Sequence, residues 1–115
     1  MNLTSGKPFN PIIGETFQAT VGDTQCYSEQ TSHHPPITNY LFINPKIKGW
    51  GYIMQEASVS GNTLNMRFEG SKSYMELYDG TKYQLFLPKM FVMGLMFGNR
   101  YINFCDVIKI VDMVI

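Results

Sequence analysis

The segment Leu64-Asn65-Met66-Arg67-Phe68-Glu69 alternates apolar and polar residues at every step. Because successive side chains of a β-strand point to opposite faces, this alternation is typical of a strand with one apolar and one solvated face. Other runs of strand length are rich in aromatic and β-branched residues: 40–43, 50–54, 74–78, 83–87 and 102–111. The sequence therefore predicts a protein built from strands throughout.

Turn-forming pairs separate these runs: Gly22-Asp23, Gly61-Asn62, Asp79-Gly80 and Gly98-Asn99. We expect Asp79-Gly80 to form a type I′ hairpin turn, since that turn needs two residues that tolerate positive φ. Only residues 89–97 have any helical character, enough for a turn or two. These features predict one all-β unit of about seven or eight strands, arranged as an antiparallel meander or barrel wall.

The composition excludes several classes of protein. Nine basic residues balance nine acidic ones, so the 115-residue chain lacks the positive excess of a broadly basic nucleic-acid binder. The longest apolar run, residues 85–97, is interrupted by Pro88 and Lys89 and is too short to span a bilayer. Residues 1–6 contain no apolar signal-peptide core. We therefore expect one small soluble domain.

The first segment that differs from ordinary strand or turn is Lys7-Pro8-Phe9-Asn10-Pro11-Ile12-Ile13-Gly14-Glu15-Thr16-Phe17. Its two prolines stiffen the backbone and remove hydrogen-bond donors, which makes the segment poorly suited to a central strand. On this frame Lys7 offers a positive charge with three donors, and Asn10 an amide that donates and accepts. A proline-kinked connection with a solvated lysine is the alternative interpretation.

The second unusual segment is Glu29-Gln30-Thr31-Ser32-His33-His34-Pro35-Pro36, which contains both histidines of the chain. Neighbouring side chains of an extended segment point to opposite sides, so a bend is needed before both imidazoles can meet one ligand. The two prolines could supply that bend. Two imidazoles beside a lysine and an amide would form a donor-rich patch that suits a phosphate group. A structural or surface histidine pair is the alternative.

Other site chemistries fit the sequence poorly. Cys26 and Cys105 could join the two histidines in a zinc site, but the four residues lack any familiar ligand spacing. Ser32 beside His33 is an adjacency in sequence and not a nucleophile paired with a base. The glycines of Gly94-Leu95-Met96-Phe97-Gly98 lack the strand, helix and lysine of a phosphate-binding loop. We therefore expect no enzyme, no metal and no cofactor.

Together the two segments resemble the lipid-binding domain of the oxysterol-binding-protein-related family. Residues 29–36 match the family's signature octapeptide except at Thr31, where valine is usual, and residues 7–16 match the block that precedes the signature. Trp50-Gly51, residues 83–88 and residues 98–110 follow in the family's order, although Asp106 stands where glycine is common. The resemblance thus spans nearly the whole chain.

The resemblance implies a fold and a function. The fold is an incomplete antiparallel β-barrel that encloses one lipid, and the function is exchange of a sterol or phosphatidylserine for phosphatidylinositol 4-phosphate between apposed membranes. It implies that four residues bind the phosphoinositide headgroup. His33 and His34 would hold the 4-phosphate, and Lys7 and Asn10 would contact the headgroup. Phe9 and Pro11 would shape the entrance. Five apolar residues would line the tunnel or pack its wall: Leu41, Ile43, Ile53, Met66 and Phe68.

The same resemblance sets expectations about extent and location. The family's lid precedes the Lys7 block and its domain continues further, so we expect residues 1–115 to form one partial domain without the lid and the C-terminal part. Open sheet edges would then favour self-association. The expected location is cytoplasmic, at membrane contact sites and peripheral to endoplasmic reticulum and Golgi-type membranes. A non-transferring phosphoinositide sensor or scaffold without a closed tunnel is the alternative function.

Overall fold

The computed structural model describes residues 9–113, which form strands and turns only. The strands are β1 (Thr16–Val21), β2 (Thr24–His33), β3 (Pro36–Ile43), β4 (Ile47–Met54), β5 (Glu56–Ser60), β6 (Thr63–Arg67), β7 (Lys72–Leu77), β8 (Lys82–Phe86), β9 (Lys89–Met93), β10 (Tyr101–Cys105) and β11 (Lys109–Asp112). Within residues 9–113, no helix has the length and apolar character needed to cross a membrane.

The strands form two antiparallel sheets. One has seven strands in the order β1-β2-β3-β4-β7-β8-β11, and the other has four in the order β10-β9-β6-β5. Four strands of the first sheet (β4, β7, β8 and β11) are each continuous along the chain with a strand of the second sheet (β5, β6, β9 and β10), and the order of neighbours is the same in both sheets. The chain is therefore the predicted antiparallel meander. Its strands outnumber the predicted seven or eight because four long runs are each broken into two strands, one per sheet.

Local interactions mark the breaks in these runs. The backbone N–H of Met54 donates to Ser71 Oγ (2.9 Å), and that hydroxyl donates to the Met54 carbonyl (3.2 Å), so the breaks of two neighbouring runs are tied together. Pro88, which cannot donate to a strand ladder, separates β8 from β9. Asp106 has a φ of 75° between β10 and β11. The prediction of a single strand over 102–111 is therefore wrong.

Two further local predictions are also wrong. Residues 89–93 form β9, which pairs with both β6 and β10, so cross-strand pairing overrides their weak helical character. Asp79-Gly80 does not form a two-residue turn: Leu77 N–H donates to the Thr81 carbonyl (2.9 Å) around a three-residue loop, and positive φ occurs only at Gly80. The Gly61-Asn62 hairpin is confirmed, with Ser60 opposite Thr63.

The seven-stranded sheet has two unlike faces. Its buried strand residues Gln30, Gly49 and Ser73 all lie on one face, which we call the buried face. On the opposite face, strands β2, β3, β4 and β7 place one large side chain each in a cross-strand row: Tyr27, Leu41, Trp50 and Tyr74. No large apolar side chain of residues 9–113 is fully buried. The large apolar side chains on both faces of the sheet are therefore at least partly accessible.

The register assigns faces to some of the predicted tunnel or wall residues. Leu41 and Ile43 share the face of Trp50, whereas Ile53 points to the buried face. Met66 lies in the four-stranded sheet, and Phe68 follows the end of β6. These residues therefore do not line one common surface.

Candidate functional site

The two histidines lie together at the tip of the β2–β3 hairpin. His33 pairs with Pro36 as the last strand pair, and His34-Pro35, joined by a cis peptide bond, forms the turn. The imidazole centroids are 4.6 Å apart and the rings meet edge to face at 64°. Both residues are exposed. The bend expected at the prolines is therefore present, and it brings both rings to one side of the tip.

A β-bulge sets the face on which His33 lies. The register between β2 and β3 shifts between Gln30 and Ser32, so Thr31 is an extra residue opposite the continuous β3 strand. Side chains three residues apart on a regular strand lie on opposite faces. Because of the bulge, His33 instead shares the buried face with Gln30.

Thr31, the residue that departs from the signature, has a hydrogen-bond partner. Asn39 Nδ2 donates to Thr31 Oγ1 at 2.7 Å, across the β2–β3 pair and directly at the bulge. The hydroxyl that threonine adds relative to valine therefore has a hydrogen-bond partner within the hairpin.

The N-terminal segment is attached to β2 close to the histidines. The Gly14 N–H donates to the Gln30 carbonyl at 3.0 Å, and the β1–β2 ladder continues from Thr16 opposite Glu29. A turn precedes this contact: the Glu15 N–H donates to the Ile12 carbonyl, and the Ile12 N–H donates to Glu15 Oε2, both at 3.0 Å. Residues 9–15 therefore lie outside the strands, as expected for a segment poorly suited to a central strand.

This attachment limits where the predicted headgroup residues can lie. Four residues span at most about 14 Å, so Asn10 stays in the neighbourhood of Gly14 and the β2 strand that leads to His33. Phe9 and Pro11 are exposed on the same segment. Lys7 lies outside the described residues. The structure thus brings His33 and His34 together and holds the segment of Asn10 near them.

Gln30 is a candidate that the sequence did not single out. Its side chain is only 6% exposed, and its Oε1 atom accepts no hydrogen bond from the described part of the chain. A buried amide oxygen without a donor costs about 1–3 kcal/mol, so this atom needs a donor that the described residues do not supply. It lies within the signature octapeptide, but the sequence gives no sign of its burial or of its face, because both depend on the fold.

A groove of about 430 Å³ lies on the opposite face of the sheet. It is lined mainly by Tyr27, Leu41, Trp50, Tyr52 and Tyr74, with Glu29 and Asn39 among its polar residues. The rings of Trp50 and Tyr74 stack at 5.8 Å, and Lys48 Nζ lies 5.6 Å from the Trp50 ring centroid. The sequence had indicated Trp50-Gly51 only as part of the family pattern.

The described residues contain no cluster of possible metal ligands. Within 9–113, no group of three or more histidine, cysteine or acidic side chains could hold a metal ion. Cys26 and Cys105 are free thiols.

Comparisons with known proteins agree with this architecture. The family model described as "Oxysterol-binding protein" matches residues 2–114. Oxysterol-binding protein 9 of Dictyostelium discoideum is 32% identical over 115 residues, covering 97% of this chain and 27% of the relative. Protein kes1 of Schizosaccharomyces pombe is 35% identical over 104 residues, covering 84% and 27%. The chain thus spans about a quarter of the length of these curated relatives.

Solved structures show the same fold. The Osh1 ORD domain in complex with ergosterol superposes with a TM-score of 0.80 at 28% identity, covering 92% of this chain and 27% of that one. The Osh3 ORD of Saccharomyces cerevisiae in complex with PI(4)P gives a TM-score of 0.81 at 20% identity, covering 93% and 29%. These matches confirm the predicted all-β antiparallel fold as part of an ORD-type barrel, whose sheets are open here. With the family model matching almost its whole length, the chain belongs to the oxysterol-binding protein family.

Proposed function

We propose that this chain is the headgroup-recognising part of a lipid-binding module whose phosphoinositide ligand is phosphatidylinositol 4-phosphate. The observation that carries the proposal is the pairing of His33 and His34, whose ring centroids lie 4.6 Å apart at an exposed hairpin tip. Family membership supports lipid as the class of ligand. The module acts by binding and transferring lipid, not by catalysis.

The chemistry of the tip suits a phosphate monoester. Imidazole N–H groups donate to phosphate oxygens, and a protonated imidazole adds charge assistance to that bond. Both rings are open to solvent, so a headgroup can approach without displacing protein. In this proposal Lys7 and Asn10 contact the rest of the headgroup, and Phe9 and Pro11 shape the approach to it. For Phe9, Asn10 and Pro11 the Gly14–Gln30 hydrogen bond supports that arrangement, because it holds the end of their segment beside β2.

The four-stranded sheet offers an apolar surface for the lipid body. One of its faces consists of two cross-strand rows without a polar residue: Ala57, Met66, Met90 and Phe104, and Val59, Leu64, Val92 and Ile102. Such a surface suits an acyl chain or a sterol ring system. The Osh1 ORD domain, 28% identical, has been solved with ergosterol and with cholesterol. We propose a sterol, with phosphatidylserine as the variant, as the second lipid exchanged between membranes.

A specific observation favours a second candidate function. In the described residues the sheets are open, with β1 and β11 at the edges of one and β5 and β10 at the edges of the other. A chain that does not enclose the lipid would bind the headgroup at a membrane and leave the lipid in place. Such a phosphoinositide sensor or scaffold would act at endoplasmic reticulum and Golgi-type membranes, as the transfer module would, and its open edges would permit self-association.

Headgroup recognition is tested by calorimetry with soluble inositol 1,4-bisphosphate and, as the ligand control, inositol 1-phosphate. We expect the double variant His33→Ala/His34→Ala to bind the bisphosphate at least about tenfold more weakly, since each charge-assisted hydrogen bond contributes about 1.5–3 kcal/mol. The matched control Lys46→Ala/Lys48→Ala removes two cations on β4 and the turn before it and should bind normally. Unchanged binding by the histidine variant, with an unchanged circular dichroism spectrum, would refute the assignment.

Desorption from vesicles separates the two candidate functions. Vesicles containing labelled sterol or labelled phosphatidylinositol 4-phosphate are incubated with the chain and then removed by centrifugation. A transfer module leaves protein-bound label in the supernatant, in proportion to protein concentration. A sensor sediments with the vesicles and leaves the supernatant without label.

A further inference from the structure

The loop between β9 and β10 exposes two large apolar side chains at its tip. Met96 is 72% exposed and Phe97 is 76% exposed, within the segment Gly94-Leu95-Met96-Phe97-Gly98. The glycines of this segment do not form a phosphate-binding loop, because a strand and not a helix follows them. The feature that needs an explanation is therefore the pair of apolar side chains.

This loop is held by a residue of another hairpin. Asn62, in the β5–β6 turn, accepts hydrogen bonds at its Oδ1 atom from the N–H groups of Met96 (2.6 Å) and Phe97 (3.0 Å). Its Nδ2 donates to the Phe97 carbonyl (2.7 Å), and its own carbonyl accepts from the Leu95 N–H (3.0 Å). Arg100 Nη2 donates to the Leu95 carbonyl (3.1 Å). Three N–H groups of the tip (Leu95, Met96 and Phe97) and two carbonyls (Leu95 and Phe97) are thus hydrogen-bonded within the protein.

Charge is nearly absent from this end of the molecule. Residues 57–66 and 90–105, which include most of the four-stranded sheet and both of its adjoining turns, contain one charged residue, Arg100. Tyr101, next to it, is 53% exposed. An arginine and a tyrosine behind an apolar tip form the arrangement found where proteins meet the boundary between lipid and water.

We propose that the loop 94–98 is a membrane-inserting wedge, with Met96 and Phe97 entering the lipid and Arg100 and Tyr101 remaining at the headgroup level. Backbone groups that enter hydrocarbon are costly unless they are hydrogen-bonded internally, and the Asn62 contacts lower that cost by satisfying the N–H groups of Met96 and Phe97 and the Phe97 carbonyl. Binding to a protein partner would not require internally hydrogen-bonded backbone groups at the tip. A stable protein interface would also need about 800 Å² of surface on each side, far more than these two side chains present. The wedge binds lipid of any headgroup, so it does not depend on the histidine site.

Flotation with vesicles of phosphatidylcholine alone tests the wedge, because these vesicles contain no phosphoinositide. We expect Met96→Ser/Phe97→Ser to weaken partitioning at least about tenfold, since it removes both inserted side chains. The matched control Val107→Ser/Ile108→Ser alters another exposed apolar pair, 82% and 66% exposed, and should partition normally. Equal partitioning of both variants and the unaltered chain would overturn the proposal.

A reporter keeps the test decisive if a serine variant folds poorly. Phe97→Trp places an indole at the tip, and Tyr78→Trp places one at another exposed turn, 84% exposed. With lipids brominated on the acyl chains, we expect strong quenching of the first indole and no additional quenching of the second relative to the chain with Trp50 alone. Asn62→Ala should reduce quenching at position 97 by about half or more, because freed backbone groups oppose insertion. An unquenched indole at position 97 would exclude the wedge.

Discussion

The ring of Phe42 lies directly over Gly49, the residue opposite it on the neighbouring strand. The two form a cross-strand pair of β3 and β4, and a Cβ atom at position 49 would overlap the Phe42 ring. Phe42 also stacks parallel to Tyr40, at 6.4 Å between ring centroids. Glycine at position 49 therefore lets an aromatic ring lie flat against the buried face of the seven-stranded sheet.

This contact predicts different costs at two glycines of β4. Gly49→Ala should lower the free energy of unfolding by about 1–3 kcal/mol, because the Phe42 ring must shift. Gly51→Ala should cost more, since its Cβ would meet the backbone of Lys72 and Ser73, which no side-chain rotation can relieve. Urea unfolding followed by circular dichroism measures both values.

A second substitution distinguishes the two mechanisms. Phe42→Leu removes the ring that obstructs a side chain at position 49, so it should recover part of the loss in Gly49→Ala and none of the loss in Gly51→Ala. Equal recovery in both double variants would show that the ring is not the cause.

At the bulge, Thr31→Val should have a small effect. It removes one exposed hydrogen bond, from Asn39 Nδ2, and restores the family's usual residue. We expect a loss of stability of less than about 1 kcal/mol and unchanged binding of inositol 1,4-bisphosphate. Asn39→Ala should add nothing in the Thr31→Val background, because both changes delete the same bond. A large loss of binding in Thr31→Val would instead give the hydroxyl a role in the site.

The bend at Asp106 predicts opposite effects of two substitutions. Its φ of 75° lies in the left-handed region, which glycine adopts freely and β-branched residues strongly resist. Asp106→Gly should raise the free energy of unfolding by up to about 1 kcal/mol, and Asp106→Val should lower it by more than about 1 kcal/mol. Thermal unfolding of the two variants checks the signs. Similar values for both would mean that the backbone at this bend rearranges.

The β7–β8 turn predicts a pH dependence in the acid range. The backbone N–H of Thr81 donates to Asp79 Oδ1 at 2.9 Å and, together with the Thr81 hydroxyl, holds the pKa of the Asp79 carboxyl below its ordinary value of 3.8. A lowered folded-state pKa means that the ionised carboxylate stabilises the turn above the unfolded-state value. That stabilisation is lost as the pH falls through the folded-state pKa.

An NMR titration of the Asp79 carboxyl carbon should therefore give a midpoint below 3.8. In Asp79→Asn, which keeps an oxygen acceptor but cannot titrate, the stability of the protein should depend less on pH in this range. A midpoint above the ordinary value would contradict the hydrogen-bond assignment.

Much of the fold could be predicted from local patterns. The alternation in Leu64–Glu69 and the turn at Gly61-Asn62 follow from side-chain period and backbone freedom, and both appear in the structure within one or two residues. The split of residues 102–111 into two strands could not be predicted, because the residue pattern of a strand is the same whether the strand stays in one sheet or continues into another. Which sheet a strand joins depends on partners far away in the chain.

The sequence by itself determined the antiparallel β class, the adjacency of two histidines at a proline turn and the membership of a lipid-binding family. These properties depend on residue types and short spacings. Only the tertiary structure decided that a bulge places His33 on the face of Gln30, and that Asn62 holds a loop 35 residues away. Register and long-range hydrogen bonds set both, and a one-residue change in register reverses the face of every side chain that follows.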